Sequence, residues 1–207
     1  MLRQLKLSLP VLMLCFILIP SVYAAGEWKN AKNKHGISVF TRDIEGSDID
    51  EFMGKGLINA PLERVNMVLD DIPRLKDWMP NCLKSILVSK KSNTFITIYY
   101  ELKTPWPLSN RDVVFSSKVI IKKDRIIRTV YAVKHPAVPE KKGIVRMTEM
   151  VGKWVLMRKG DKTHATYWIK SNPAGSLPTS IANMASKTLP YETIKKLRTQ
   201  VKLPQYQ

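Results

Sequence analysis

The sequence predicts an α+β domain in which a curved antiparallel sheet of about eight strands packs around a long C-terminal helix. Two observations predict the sheet: extended segments follow one another through the middle of the chain, and only a few turn-like residues connect most of them. Links this short join antiparallel neighbours, because a parallel crossover needs a dozen or more residues. A third observation, apolar residues at helical spacing after Pro178, predicts the helix.

Residues 1–24 are predicted to be a secretory signal peptide. Arg3 and Lys6 precede an apolar run of about 13 residues, which is shorter than the roughly 20 needed to cross a membrane. Val22 and Ala24 suit the positions before a cleavage site. We therefore expect export to the periplasm or the medium after cleavage at Ala24. An uncleaved tether is the alternative, and N-terminal sequencing of the purified protein distinguishes the two.

The composition predicts one domain, over residues 27–203, with a strongly basic surface. The chain has 34 basic and 17 acidic residues, a formal net charge of +17 that becomes +15 once Arg3 and Lys6 are removed. Such a charge attracts phosphate, and for an exported protein the abundant phosphate lies on membranes rather than nucleic acid. We therefore expect a monomer that docks transiently on an anionic membrane and has no nucleic-acid partner. The alternative is that the positive charge serves only to keep the protein soluble. Cys82 is the one cysteine after the signal peptide, so no internal disulfide is expected.

The first two predicted strands form a hairpin across the turn-rich residues 45–48. Six more follow the first helix, and the connections between them are mostly tight turns. The predicted strands cover residues 37–42, 52–58, 83–89, 95–102, 113–121, 125–133, 143–151 with 154–158 beyond, and 163–170.

Two helices are predicted. Pro61 suits the first turn of a short helix that ends at Asp71, because a proline there loses no hydrogen bond. Pro178 opens the long C-terminal helix, and Pro190 is expected to kink it.

Alternating residues on several strands predict a ligand cavity between the sheet and the long helix. One face of these strands mixes apolar side chains with Glu101 and Glu149, which a dry core would rarely accept because a buried, unpaired carboxylate is costly. A ligand pocket accepts a few such polar groups. The alternative is that both carboxylates face solvent. The predicted lining residues are Tyr99, Glu101, Phe115, Ser117, Tyr131, Met147, Glu149 and Tyr167 on strands, and Ile181, Met184, Ala185 and Leu189 on the helix.

Two motifs, in a fixed order, carry a family resemblance. Residues 106–112 read Trp-Pro-Leu-Ser-Asn-Arg-Asp, and residues 172–178 read Asn-Pro-Ala-Gly-Ser-Leu-Pro. Residues before them (78–82) and between them (142–146 and 152–154) also match the same pattern. Together these segments make the chain, from about residue 28 to 197, resemble the START family, the StAR-related lipid-transfer domains. The resemblance implies a helix-grip fold, one lipid in an internal tunnel, and neither a cofactor nor a metal.

The resemblance also bears on individual residues. Trp106, Asn110, Arg111 and Asp112 of the first motif are assigned a structural role at the start of a strand, with ligand contact as the alternative. Some family members place an acid and a base face to face in the tunnel. Here Glu101 matches the acid, but a serine, Ser117, stands where the base would be.

We therefore expect a protein that holds one lipid and carries it between membranes or to a partner. A sensor or scavenger that does not transfer lipid is one alternative, and a cyclase-like or hydrolase-like enzyme is another. The sequence offers no metal-binding or nucleophile motif, so no catalytic residue is predicted. The residues predicted to dock on the membrane are Lys122, Lys123, Arg125, Lys195 and Lys196; such runs also occur on ordinary solvated faces.

Overall fold

The computed structural model describes residues 26–207 as one sheet of ten strands, three α-helices and two short 3-10 helices. The predicted signal peptide lies outside the described residues. The strands are β1 (Lys29–Lys34), β2 (Ile37–Ile44), β3 (Ser47–Ile58), β4 (Cys82–Ser92), β5 (Phe95–Leu102), β6 (Asn110–Ile121), β7 (Arg125–Ala132), β8 (Ile144–Arg146), β9 (Glu149–Lys159) and β10 (Lys162–Asn172). The α-helices are α1 (Leu62–Asp70), α2 (Leu75–Trp78) and α3 (Thr179–Gln200), and the 3-10 helices are Ile72–Arg74 and Pro204–Tyr206.

The sheet has the order β1-β2-β3-β10-β9-β7-β6-β5-β4, and every neighbouring pair in this path is antiparallel. β8 lies off the path and pairs in parallel with β6. The predicted α+β class and its antiparallel sheet are confirmed, with ten strands in place of about eight.

Two strand predictions differ from the structure. β1 was not predicted because its residues, Lys-Asn-Ala-Lys-Asn-Lys, carry no apolar alternation; β1 is an edge strand. The predicted strand 143–151 is divided between β8 and the start of β9. The last bond to β6 is made by Met147, whose N–H donates to the Asp112 carbonyl at 2.8 Å, and β9 begins at Glu149.

α3 packs against β3 at positions where the strand has no side chains. A Cβ on Gly54 would lie 2.9 Å from Cβ of Pro190, and one on Gly56 would lie 2.9 Å from Cγ2 of Ile194. Both distances are below ordinary carbon contacts, so the two glycines allow the helix to approach the sheet closely. α3 continues through Pro190 to Gln200; the predicted kink stays a prediction.

The α1–α2 segment closes the space between α3 and the sheet. Buried apolar side chains of α1, α2 and the 3-10 helix between them belong to the same core as the sheet and α3. They are Leu62, Val65, Val68, Leu69, Ile72, Leu75 and Trp78. Within residues 26–207 no helix is both long enough and apolar enough to span a membrane.

Candidate functional site

A cavity of about 270 Å³ lies between the sheet, α3 and the α1–α2 segment. This volume is slightly below the range of roughly 300–1,000 Å³ that is usual for small-molecule pockets. Most of its wall is apolar, with several aromatic rings. The strands contribute Phe52, Ile98, Tyr100, Leu102, Val113, Phe115, Val130, Met150, Trp154, Tyr167 and Ile169, and α3 contributes Ile181, Ala185 and Leu189.

The aromatic rings of the wall pack against each other. Trp154 stacks on Tyr167 with ring centroids 4.4 Å apart, and Phe52 contacts Tyr167 at 5.8 Å. Tyr100 meets Phe115 edge to face at 4.9 Å. Burial raises the pKa of both Tyr100 and Tyr167, so the two phenols stay neutral at physiological pH. These rings therefore give the wall an uncharged aromatic patch.

The cavity reaches solvent at the loops before β4 and after β5. Asn81, Lys103 and Pro105 line it and are exposed, and the Lys103 N–H donates to the Asn81 carbonyl at 2.8 Å, which joins the two loops. Trp106 follows directly, with 94 % of its surface exposed. The structural role predicted for Trp106 is therefore wrong, because its ring packs against almost nothing.

The cavity ends internally at two polar side chains, Ser117 on β6 and Arg128 on β7. Nη1 of Arg128 donates to the Ser117 hydroxyl at 3.2 Å, and Nη2 donates to the Asn66 amide oxygen at 3.2 Å and to the Asp70 carboxylate. Arg128 is 5 % exposed, although the Asp70 side chain is 44 % exposed. A basic side chain thus lies beside Ser117, on the neighbouring strand, and it pairs with Asp70 rather than with Glu101.

The structure places seven of the twelve predicted lining residues at the cavity wall. They are Phe115, Ser117, Met147, Tyr167, Ile181, Ala185 and Leu189. Their contact with a ligand stays a prediction.

The other five lie elsewhere, and their prediction as lining residues is corrected. Tyr99 and Glu101 are on the opposite face of β5, where Glu101 pairs with Lys84 at 3.0 Å and accepts a hydrogen bond from Tyr99 at 3.3 Å. Lys141, from the loop before β8, covers this face and donates to the Tyr99 hydroxyl at 3.0 Å. Both faces of β5 are therefore buried, and the alternation assigned from the sequence is wrong by one residue.

The remaining three are exposed. Tyr131 follows the lining residue Val130 on β7, so its side chain lies on the opposite face of the sheet, where it is 37 % exposed. Glu149 is exposed at the first position of β9, and Met184 is 60 % exposed on α3. For Glu149 the structure agrees with the alternative interpretation, that the carboxylate faces solvent.

The other residues of the first motif fasten parts of the fold together. Asn110 accepts from the Thr104 N–H at 3.2 Å, within the loop after β5. Arg111 donates to the carbonyl oxygens of Ser109, Pro173 and Ala174 at 2.6, 3.4 and 3.3 Å, so it joins the first motif to the second. It also lines the cavity, and burial lowers its pKa.

Asp112 forms a buried ion pair with Arg146 on β8. The Asp112 side chain is 1 % exposed and that of Arg146 is 10 % exposed, and two hydrogen bonds of 2.6 and 3.0 Å join them. This geometry accords with the structural role that the sequence assigned to Asp112.

The predicted docking residues lie at the end of the fold opposite the cavity opening. The turn after β6 contains Lys122, Lys123 and Arg125. The start of β6, at the other end of the strand, carries Arg111 and faces the opening. Lys195 and Lys196 lie on the last turns of α3, close to Arg198, which donates to the Leu57 carbonyl at the far end of β3. These five cations are not grouped around the opening.

Comparisons with known proteins agree with this fold. A family model described as the START domain matches residues 24–206. An uncharacterised protein of Pseudomonas aeruginosa is 29 % identical over 176 residues, 84 % of this chain and 87 % of that protein. The phosphatidylcholine transfer protein of Mus musculus is 28 % identical over 184 residues, 84 % of this chain and 83 % of that protein. A crystal structure of a STAR-related lipid transfer protein fragment from Xanthomonas axonopodis has a TM-score of 0.78 at 35 % identity, covering 85 % of this chain and 99 % of the other.

Proposed function

We propose that this chain, which belongs to the START domain family, binds one phospholipid in its internal cavity and carries it between membranes. One observation carries the proposal: an aromatic and aliphatic cavity reaches solvent at the loop that carries Trp106, a tryptophan whose surface is 94 % exposed. Similarity to a phosphatidylcholine transfer protein supports a phospholipid as the ligand class.

The energetics of transfer favour an enclosed cavity. Moving acyl chains from a bilayer into water costs about 0.8 kcal/mol per methylene, or on the order of 20 kcal/mol for two long chains. An apolar wall offsets this cost because the chains exchange one hydrocarbon environment for another. A basic surface without such a cavity would bind membranes but could not extract a lipid.

We propose no catalytic step. The two acids that the sequence offered for catalysis, Glu101 and Glu149, do not line the cavity, and Glu101 is occupied by Lys84 and Tyr99. General acid–base chemistry needs such a group within hydrogen-bond reach of the substrate. Asp50 does line the cavity, and burial raises its pKa, but neither a histidine nor a second carboxylate lines the described wall beside it, so we assign it no catalytic role.

Trp106 is proposed to insert into the membrane at the cavity opening. Tryptophan favours the interface between water and lipid, and Lys103, three residues away, places a cation next to anionic headgroups. Docking at this end brings the opening against the bilayer, so a lipid can pass without crossing water. The cations at the other end of the fold are then not the primary contact.

The test is transfer of phosphatidylcholine between labelled vesicles that contain anionic lipid. Burying a large apolar side chain contributes about 1.5–3 kcal/mol, so Trp106→Ala is expected to slow transfer by roughly tenfold or more. Ile121→Ala is the matched control, because Ile121 is 62 % exposed at the opposite end and its loss should leave the rate unchanged. Equal rates for the two variants would exclude docking through Trp106.

A second measurement separates docking from binding. Native mass spectrometry of Trp106→Ala, loaded with phosphatidylcholine from detergent, is expected to show one bound lipid, as for the unaltered protein. If the unaltered protein binds no phospholipid and transfers none, the carrier proposal itself fails.

A further inference from the structure

A second cavity, called the outer cavity below, lies on the face of the sheet that points away from α3. Its volume is about 350 Å³, within the range of roughly 300–1,000 Å³ that is usual for small-molecule pockets. β4, β5 and the loop between β7 and β8 form it, and its lining residues are Ile86, Val88, Tyr99, Ala137, Val138, Pro139 and Lys141. It shares no lining residue with the internal cavity, so the two are separate sites.

The loop that forms one wall of the outer cavity is held in place by Arg146. The guanidinium donates to the carbonyl oxygens of Val138 and Pro139, both at 3.2 Å, and it is itself paired with the buried carboxylate of Asp112. Within the loop, the Val138 N–H donates to the His135 carbonyl at 3.0 Å. The wall is therefore preformed, and a ligand does not have to order the loop in order to bind.

The outer cavity presents apolar surface that the fold leaves partly in water. Ile86 is 49 % exposed on β4, which is an edge strand of the sheet. Val88 and Val138 are half-buried, and Tyr99 beside them is 2 % exposed. A hydrocarbon chain that covers these side chains removes apolar surface from water, which favours binding.

Lys141 is the one cation among the described residues that line the outer cavity. Its Nζ donates to the Tyr99 hydroxyl at 3.0 Å and lies 4.5 Å from the centre of the Tyr99 ring. An ammonium group has three N–H donors, so this bond leaves two for a ligand. Within residues 26–207 neither Lys141 nor Glu140, its exposed neighbour in the chain, forms an ion pair.

The carboxylates nearest to Tyr99 are already paired with other cations. Glu101, which accepts from the Tyr99 hydroxyl, pairs with Lys84 at 3.0 Å. Asp112 accepts two hydrogen bonds from Arg146, of 2.6 and 3.0 Å. The charge of Lys141 is therefore left for an anion from outside the chain, and a carboxylate suits it because a charge-assisted hydrogen bond is stronger than a neutral one.

From these contacts, which do not depend on the proposed function, we infer that the outer cavity binds a free fatty acid. The carboxylate accepts hydrogen bonds from Nζ of Lys141, and the hydrocarbon chain lies along Ile86, Val88 and Val138. A fatty acid has one chain and one negative charge, which matches one apolar groove with one unpaired cation. An acidic peptide, with several carboxylates, would need more cations than the single lysine that lines this groove.

Photocrosslinking locates the site in the unaltered protein. The probe is a palmitate analogue that carries a diazirine in the middle of its chain, and mass spectrometry of the digested protein identifies the labelled residues. We expect label on Ile86, Val88 or Val138. Label confined to other residues, including those of the internal cavity, would overturn the inference. Failure of the protein to transfer phospholipid would not affect this result, because the two cavities share no lining residue.

Two pairs of variants test the charge and the apolar groove. Lys141→Met should raise the probe concentration needed for half-maximal labelling about fivefold, the effect of an ion pair at a partly exposed site. Lys134→Met is its control, because Lys134 is an exposed lysine of the same loop that does not line the outer cavity. Ile86→Ser should weaken labelling of the other lining residues by a similar factor. Leu87→Ser should not, because Leu87 is 43 % exposed on the same strand but lies outside the lining.

The methyl ester of the same probe isolates the role of the carboxylate. The ester keeps the chain and the diazirine but carries no charge, so it should label the outer cavity of the unaltered protein about fivefold more weakly than the acid. Equal labelling by acid and ester, or equal labelling of Lys141→Met and Lys134→Met, would refute the assignment of the carboxylate to Lys141.

Discussion

The pair Asp112–Arg146 gives a sharp prediction of stability. Replacing Asp112 with Asn removes the charge that faces a guanidinium only 10 % exposed, and it turns one of the two acceptor oxygens into an N–H donor that faces another donor. Asp112 raises the pKa of Arg146, but Arg146 remains charged without it because the ordinary pKa of arginine lies far above physiological pH. The variant therefore carries a buried cation without its counterion.

Breaking a buried ion pair from one side costs about 3–5 kcal/mol. Arg146 keeps its hydrogen bonds to the carbonyl oxygens of Val138 and Pro139, both at 3.2 Å, so we expect the lower figure. In a domain of this size 1 kcal/mol shifts Tm by about 2–4 °C. Asp112→Asn should thus unfold about 6–12 °C below the unaltered protein when followed by circular dichroism.

Two further variants show whether burial is the cause. Asp43→Asn breaks a pair with Lys29 of the same 2.6 Å length, but both side chains are 66 % exposed, so no measurable change in Tm is expected. The double variant Asp112→Leu, Arg146→Met should recover part of the lost stability, because no charge is then buried unpaired. A Tm of Asp112→Asn equal to that of Asp43→Asn would refute the reasoning.

Two other predictions concern β9 and β10. Gly152→Ala would place a Cβ 2.3 Å from Cδ1 of Ile169 and 2.9 Å from Cγ2 of Val130. The variant should therefore lower the free energy of unfolding, measured in urea, by about 1–3 kcal/mol. Unchanged stability would show that Ile169 and Val130 move aside at little cost. Burial and two nearby lysines lower the pKa of His164 below its ordinary 6.5. The unfolded chain then binds the proton more tightly, so stability should fall as the pH decreases below about 6.5, and His164→Gln should show a smaller fall between pH 7 and pH 5. An equal fall in both proteins would exclude His164 as the cause.

The fold was predictable where residue pattern and local geometry agree. Short turns and extended segments predicted the antiparallel sheet, and the apolar spacing after Pro178 predicted α3. β1 escaped prediction because both of its faces are polar, and the hydrogen bonds that hold it to β2 leave no trace in its side chains.

The lining residues were less predictable because several strands are buried on both faces. On β5, Ile98 and Tyr100 face the cavity while Tyr99 and Glu101 face a covering loop, so alternation does not distinguish the sides. On β7 the rule that charges face outward gives the wrong answer. Arg128 faces inward because α1 supplies Asp70, and such a pairing depends on tertiary contacts that sequence spacing does not reveal.

The two motifs that carry the family resemblance are thus informative about the fold and nearly silent about the ligand. Arg111 is occupied by backbone carbonyls of the second motif, and Asp112 by Arg146. These side chains fasten the strands, and Arg111 also lines the cavity. Outside the motifs, the buried Nε–H of Arg128 has no hydrogen-bond partner within residues 26–207, so this side chain of the cavity wall has a donor to offer a ligand.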